Sequence, residues 1–312
     1  MKIFLASPHT FLKFKDGLKL ALIAMGGGIP NNEDISGREY NLSEIHRSDA
    51  IRGGFSLTQN EDISCGCDTV WSEEKYKGGG FNKVIKEHRP FILESFYYAD
   101  ADTERLIPYY GDFLLDSGAF TFITDKSIAH NWDEYVERYA TFIKKNKVKK
   151  YFELDIDAVV GYKKVLEYRE KLEKQVGWPC IPVWHKSRGI EEYKKHCQEY
   201  SYVGIGGYVI KELTPEDYNA FPAMINYAHK YDCNVHCLGY TKLSNLAKHH
   251  FDSVDSTAWT TGNRFGYVYY FNGKTMKKRD APQGARLADS RKVALHNYTE
   301  WIKFQKWAET HL

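Results

Sequence analysis

Two carboxylates in this chain are spaced and surrounded as if for chemistry. Asp116 closes the run Leu114-Leu115-Asp116 and leads into Ser117-Gly118-Ala119-Phe120, while Asp255 closes Phe251-Asp252-Ser253-Val254-Asp255 and leads into Ser256-Thr257. A short apolar run ending on an aspartate and followed by small residues is how a buried strand delivers a carboxylate to its C-terminal tip. Two carboxylates in different surroundings supply a nucleophile and an acid/base group, the machinery of retaining glycosyl transfer. Other short runs end on polar groups too: Asp155 with Asp157, His185, and Asp252 beside Asp255. The stretch Gly204-Ile205-Gly206-Gly207 ends another, and its missing side chains let a flat ligand approach the backbone. For a single aspartate, a helix cap or a loop is the ordinary role. It is the ordered set that points to a site.

Asp116 and Asp255 lie 139 positions apart. They can share a site only if the strands between them curl back on each other, which a parallel (β/α)8 TIM barrel achieves by collecting residues from its strand ends. Eight β-rich runs support that α/β fold: 2–6, 91–97, 112–116, 151–155, 180–184, 202–205, 234–238 and 251–255. Amphipathic stretches at 132–145, 162–175, 191–200, 215–231 and 242–249 predict the helices between them. Thr214-Pro215-Glu216-Asp217 carries helix-start signals, and a last helix over 287–310 would close the barrel. One barrel domain over 1–312 is expected, with a C-terminal hairpin and closing helix at about 262–312. The polar region at about 26–90, with glycine triplets at 26–28 and 78–80, is too long for a βα loop and reads as an insertion after the first strand-helix unit. A lid or substrate-binding element and a plain solvent loop both remain open for it.

Hydrophobic residues at 43% and charged residues at 27% describe a globular chain rather than a disordered one. No apolar run approaches the length of a membrane span, and no signal peptide is read at residues 1–5, so a cytoplasmic protein that does not engage membranes is expected. The six cysteines (65, 67, 180, 197, 233, 237) form no CxxC pair, which favours free thiols over a zinc site. A net charge of +2 announces no nucleic-acid binder, although it says little about local patches.

The order of these motifs resembles that of the tRNA-guanine transglycosylases, and more closely that of their phage and bacterial relatives that put 7-deazaguanine bases into DNA. The family's D-S-G-G-(F/Y) motif appears as Asp116-Ser117-Gly118-Ala119-Phe120. Its base-reading aspartate matches Asp155 in Leu154-Asp155-Ile156, and its base-edge glutamine falls at about His185. The V-G-G stretch matches Gly204-Ile205-Gly206-Gly207, and the D-x-F-D-(C/S) segment matches Asp252-Ser253-Val254-Asp255-Ser256. The likeness spans about residues 91–260 and is specific in order and spacing while thin in identity. It implies Asp255 as nucleophile, Asp116 as general acid/base, and a base held by Asp155, His185, Gly206 and Gly207 beside Ser117 and Gly118. Asp252 competes for the nucleophile's role, but strand alternation puts it on the opposite face and Asp255 nearer the tip. Asp157 is a further candidate.

The family's zinc motif is missing, since no cysteine follows Cys237. In its place, residues 264–274 read as a β-hairpin with an Asn-Gly turn. That substitution favours DNA over tRNA as partner, with a free 7-deazaguanine base as co-substrate and neither metal nor organic cofactor. Arg264, Lys274, Lys277, Lys278 and Arg279, set among aromatic residues, are the candidate phosphate contacts. The Lys144–Lys150 basic run precedes a strand and reads as a solvated face. Three other readings stay open: a tRNA-directed enzyme, a barrel glycoside hydrolase, and a non-catalytic nucleic-acid-binding subunit.

Overall fold

A computed structural model describes residues 1–6, 90–118, 121–122, 131–240, 242–262, 267–280 and 290–312. Nearly all of the expected 26–90 insertion, together with Arg264, Cys65 and Cys67, lies outside the described residues. The strands are β1 (Lys2–Ala6), β2 (Phe91–Ser95), β3 (Asp112–Asp116), β4 (Val183–Trp184), β5 (Tyr202–Ile205), β6 (Asn234–Cys237) and β7 (Ser253–Ser256). All seven pair in parallel, in the order β3-β2-β1-β7-β6-β5-β4.

The ladders thus form a curled seven-stranded sheet rather than the expected closed eight-stranded barrel. The segment expected as a strand at 151–155 joins the edges β3 and β4 only through isolated parallel bridges, Leu115 with Tyr151 and Phe152 with Ile181. The chemistry of the segment explains the interruption. Pro182 has no N–H to extend a ladder. The Val183 amide donates at 2.8 Å to the side chain of Glu153 instead of to a backbone carbonyl, and the Leu154 carbonyl is taken by the Ile156 amide at 3.0 Å.

Strand alternation sorts the buried residues into two cores. Phe4, Ala6, Phe91, Leu93, Leu114, Phe152, Ile181 and Val183 pack inside the curl. Their alternates, among them Ile3, Leu5, Ile92, Leu115, Val203, Val235 and Val254, face the helices. These helices are α1 (Ala101–Leu106), α2 (Trp132–Lys145), α3 (Asp157–Val160), α4 (Tyr162–Val176), α5 (Ile190–Glu199), α6 (Phe221–His229), α7 (Leu243–His249) and α8 (Ser290–His311).

In α2 the side chain of Asn131 caps the Glu134 amide at 3.3 Å, acids occupy the first turn and lysines the last, as the helix dipole prefers. Its Tyr139 hydroxyl sits 3.1 and 3.0 Å from the carbonyls of Leu115 and Phe152, tying β3 to the bridging segment. The helix expected at 215–231 begins later: Asp217 accepts from the Thr214 amide, folding 217–220 into a 3-10 turn before α6 starts at Phe221. From α8, Gln305 receives the Phe91 amide at 3.0 Å and donates to the Ile3 and Phe91 carbonyls at 2.5 and 2.9 Å. The expected hairpin is β8 (Tyr267–Phe271) paired antiparallel with β9 (Met276–Asp280), and Gly273 takes φ +87° in its Asn-Gly turn. Among the described residues, no helix is long and apolar enough to cross a membrane.

Candidate active site

A cavity of about 440 Å³ opens at the C-terminal ends of the parallel strands, a size usual for small-molecule sites. Every strand position contributes to its wall: Ala6, Ser95, Asp116, Asp155, His185, Gly206 with Gly207, Leu238 with Gly239, and Asp255 with Thr257. Six of the expected site residues, Asp116, Asp155, His185, Gly206, Gly207 and Asp255, are therefore brought together. Val183, Leu93, Val209 and Ile210 add apolar surface.

Asp116 ends β3, and its Oδ2 accepts the Gly118 amide at 2.9 Å. Burial pushes its carboxyl up to about 6, the Asp255 and Asp155 carboxylates add to the rise, and the Gly118 amide works against it. Ser117 and Gly118 do not line the cavity. They shape the turn, in which the Tyr135 hydroxyl of α2 donates to the Ser117 carbonyl at 2.6 Å.

Asp255, on β7, is buried, and both of its hydrogen bonds land on Oδ1: the Gly239 amide donates at 2.6 Å, and His236 Nε2 lies at 3.2 Å. Asp252 sits at the other end of this strand. Its Oδ2 accepts the Val235 amide at 2.7 Å and faces His229 Nε2 at 2.9 Å, well away from the cavity lining. Of the two aspartates, Asp255 lines the cavity and Asp252 does not.

The opposite wall is a charge network. Asp155 receives Arg188 on Oδ1 at 2.7 Å and His185 Nε2 on Oδ2 at 2.7 Å. The other ring nitrogen of His185 meets Glu212 at 2.7 Å. Burial alone would lower the His185 pKa, but the hydrogen bonds to Asp155 and Glu212 prevail and hold it at about 9, so the ring is an imidazolium at neutral pH. Arg188 also reaches Asp157 at 3.1 Å and Glu153 at 3.0 Å, donates to the Val183 carbonyl, and stacks 4.4 Å from the Tyr162 ring centroid. Beneath it, Arg169 holds the fully buried Glu153 at 2.6 Å. Burial would raise the carboxyls of Glu153 and Asp157, but the guanidinium groups keep both below the ordinary range. Asp157 is thus part of the supporting network and not of the cavity wall.

Donor atoms of Asp155, Asp157 and His185 lie within 4.8 Å of one another, close enough to surround a metal ion. Arg188 and the His185 imidazolium already supply the positive charge there, so the donor set fits an ion-pair network better than a metal.

The floor of the cavity depends on missing side chains. A Cβ on Gly206 would stand 2.7 Å from the His185 ring, and Gly207 takes φ +86°.

The expected phosphate contacts stand apart. Lys274, Lys277 and Lys278 are exposed and Arg279 half-buried on the hairpin, and none lines the cavity. Lys278 lies 4.3 Å from the Tyr267 ring centroid and Arg279 5.5 Å from that of Tyr270. In the basic run, Lys145 pairs with Glu104 and Lys150 with Asp112, consistent with a solvated face. Cys180, Cys197, Cys233 and Cys237 are free thiols.

Arg188, Glu212, Glu153, His236 and Gly239 were not anticipated. Glu153 carried a usable signal, since a charge inside the apolar run Tyr151-Phe152-Glu153-Leu154 demands a buried cation. No protein-family model matches this chain, and no curated protein matches it either.

Proposed function

We propose that the chain is a transglycosylase that exchanges guanine in DNA for a 7-deazaguanine base through a covalent aspartyl-glycosyl intermediate. On this reading, residues 151–155 fill the eighth strand position of a (β/α)8 barrel. The observation that carries it is the convergence of a raised carboxyl, Asp116, with a buried, pinned carboxylate, Asp255, over a glycine floor.

Asp255 Oδ2 attacks C1′ of the guanosine nucleotide. The C1′–N9 bond breaks, its electron pair passes to guanine, and the proton held by Asp116 neutralises the departing base. In the second half, Asp116 takes the N9 proton of the incoming 7-deazaguanine. The N9 of that base attacks C1′, and the C1′–O electron pair returns to Asp255. A carboxyl near 6 suits a group that must both give and take a proton near neutrality.

Asp155 complements the N1–H and exocyclic N–H donors of a guanine-type base. Its network sets four carboxylates (Glu153, Asp155, Asp157, Glu212) against three cations (Arg169, Arg188, His185), leaving one negative charge for those donors. His185 has both ring nitrogens engaged, so it orients Asp155 in place of reading the base edge itself. In a duplex the target nucleotide must be flipped out.

A glycoside hydrolase is disfavoured by the tryptophans. Trp184 donates to the Gly189 carbonyl and Trp259 to the Ala6 carbonyl, and neither lines the cavity as a sugar platform would.

The test incubates the protein with duplex DNA, tRNA or oligosaccharide together with labelled guanine and 7-deazaguanine bases, followed by nucleoside mass spectrometry. Incorporation into DNA, lost with Asp255→Asn, is expected. Incorporation into tRNA alone would move the substrate, and sugar release from oligosaccharide would replace the reading.

A further inference from the structure

Asp255 does not stand alone in the interior of the sheet. Behind it a line of polar groups runs down the inner face: Tyr202 on β5, Ser253 on β7 and His236 on β6. The Tyr202 hydroxyl is hydrogen-bonded to Ser253 Oγ, Ser253 Oγ meets His236 Nδ1 at 2.6 Å, and His236 Nε2 meets Asp255 Oδ1 at 3.2 Å. The imidazole is fully buried, with the Phe4 and Phe152 rings 6.1 and 5.3 Å away.

Proton direction follows from the partners. A carboxylate nucleophile only accepts, so His236 must carry its proton on Nε2. Nδ1 is then an acceptor and Ser253 donates to it, which leaves Ser253 Oγ to accept from Tyr202. Burial pushes the Tyr202 phenol well up, so it keeps that proton. Every hydrogen in the chain thus points towards Asp255. An imidazolium would reverse the Ser253 hydroxyl and strand the Tyr202 proton.

We propose that His236, its tautomer fixed by Ser253 and Tyr202, is a positioning residue that sets how readily the Asp255 carboxylate leaves in the second half of the exchange. This rests on the function proposed above. When the C1′–O bond breaks, its electron pair returns to the carboxylate and spreads onto Oδ1, where the Gly239 amide and His236 Nε2–H receive it. The same two donors hold Oδ1 during the first half and so aim Oδ2 at C1′. Losing one donor costs departure more than attack, because attack consumes negative charge and departure restores it.

The test compares the wild type with His236→Phe, whose ring fits among Phe4 and Phe152, and with His236→Gln, which keeps a donor at the same reach. Single-turnover guanine release and base incorporation are followed separately, and the covalent enzyme–DNA adduct is quantified on denaturing gels. In His236→Phe, incorporation is expected to fall about tenfold to a hundredfold more than release, the scale of one hydrogen bond to a charged group. The adduct then accumulates, and His236→Gln restores part of the rate. ¹⁵N-histidine NMR supplies a readout independent of activity: the Nε2–H tautomer of His236 is expected in the wild type and is lost in Ser253→Ala.

An Nδ1–H tautomer in the wild type overturns the proposal. So does an equal fall in both half-reactions without rescue by glutamine, which is the mark of a merely structural residue. A wild type that shows the expected tautomer and forms neither adduct nor product refutes the function itself. A wild type that exchanges bases, with an unaltered His236→Phe, refutes only the role of His236.

Discussion

The two walls of the cavity are built on opposite electrostatic plans. On one, Asp155 is clamped between Arg188 and an imidazolium, and each carboxylate has a cation within 3.1 Å. On the other, Asp116 has the backbone amides of Gly118 and Ser117 and no cation, with two further carboxylates near enough to raise it. Compensated charges hold geometry, whereas an uncompensated one can exchange its proton near neutral pH. The division suits a site in which one wall recognises a base and the other changes bonds.

The sharpest way to break this contrast is Asp116→Asn. Activity is expected to fall by about 10²- to 10⁴-fold, the usual contribution of a general acid/base, and an inflection of the wild-type rate near pH 6 should vanish. Stability should move the other way. Because the folded state binds this proton more tightly than the unfolded chain, the ionised group costs stability as pH rises through about 4 to 6. Asp116→Asn should therefore stabilise the protein at pH 7, by up to about 3 kcal/mol at 1.4 kcal/mol per pKa unit, as read by denaturant titration. A less stable variant would mean that Asp116 is compensated after all.

On the recognition wall, Arg188→Met removes the one cation that Glu153, Asp155 and Asp157 share, while Arg169 and His185 still hold Glu153 and Asp155. A loss of about 3–5 kcal/mol is expected, as for breaking a buried ion pair, and Arg188→Lys should rescue little because one ammonium cannot replace three directed contacts. Urea unfolding of both variants checks this.

His185 gives a pH signature of opposite sign to Asp116. Its raised pKa means its stabilisation is fully present below about pH 6.5, the ordinary histidine value, and is lost as pH rises through about 9. Melting curves of wild type and His185→Gln should differ most in the acidic range, by up to about 3 kcal/mol, and converge above pH 9.

The smallest effect is expected from the hairpin, which belongs to neither wall. Lys274→Ala and Lys277→Ala should each weaken DNA binding evenly across sequences and reduce the salt slope by about one, leaving the base-exchange chemistry unchanged. No change in either variant would remove the hairpin from the DNA path.

The residues of the reactive wall were legible because each lies at the tip of an apolar run, where period-two alternation and strand polarity fix both face and end. Helix α2 was legible to the residue, since its cap and charge pattern agree with its apolar face. On the recognition wall only Asp155 and His185 were legible, and their partners Arg188 and Glu212 were not. Lys186-Ser187-Arg188 and Glu212 carry no such signal, because nothing local tells which turn folds inward over which strand end. His236 and Ser253 belong to adjacent strands and acquire meaning only from register. The interrupted edge at 151–154 was misread for a similar reason: the apolar run is present, but Pro182 offers the ladder no N–H and the Glu153 side chain takes the Val183 amide.

The clasp of Gln305 on Ile3 and Phe91 bears on how the molecule is assembled. β1, the earliest strand, finds its neighbour in β7, and its carbonyl at Ile3 is engaged from α8. During synthesis this contact of β1 must wait for a residue 302 positions later. Such long-range closure slows folding and exposes the waiting segments to partners or chaperones. It also makes the site all-or-none, because Asp255 rides on the very strand that β1 completes. Asp255 and the cavity it lines therefore take shape only once α8 has been made and has closed on β1.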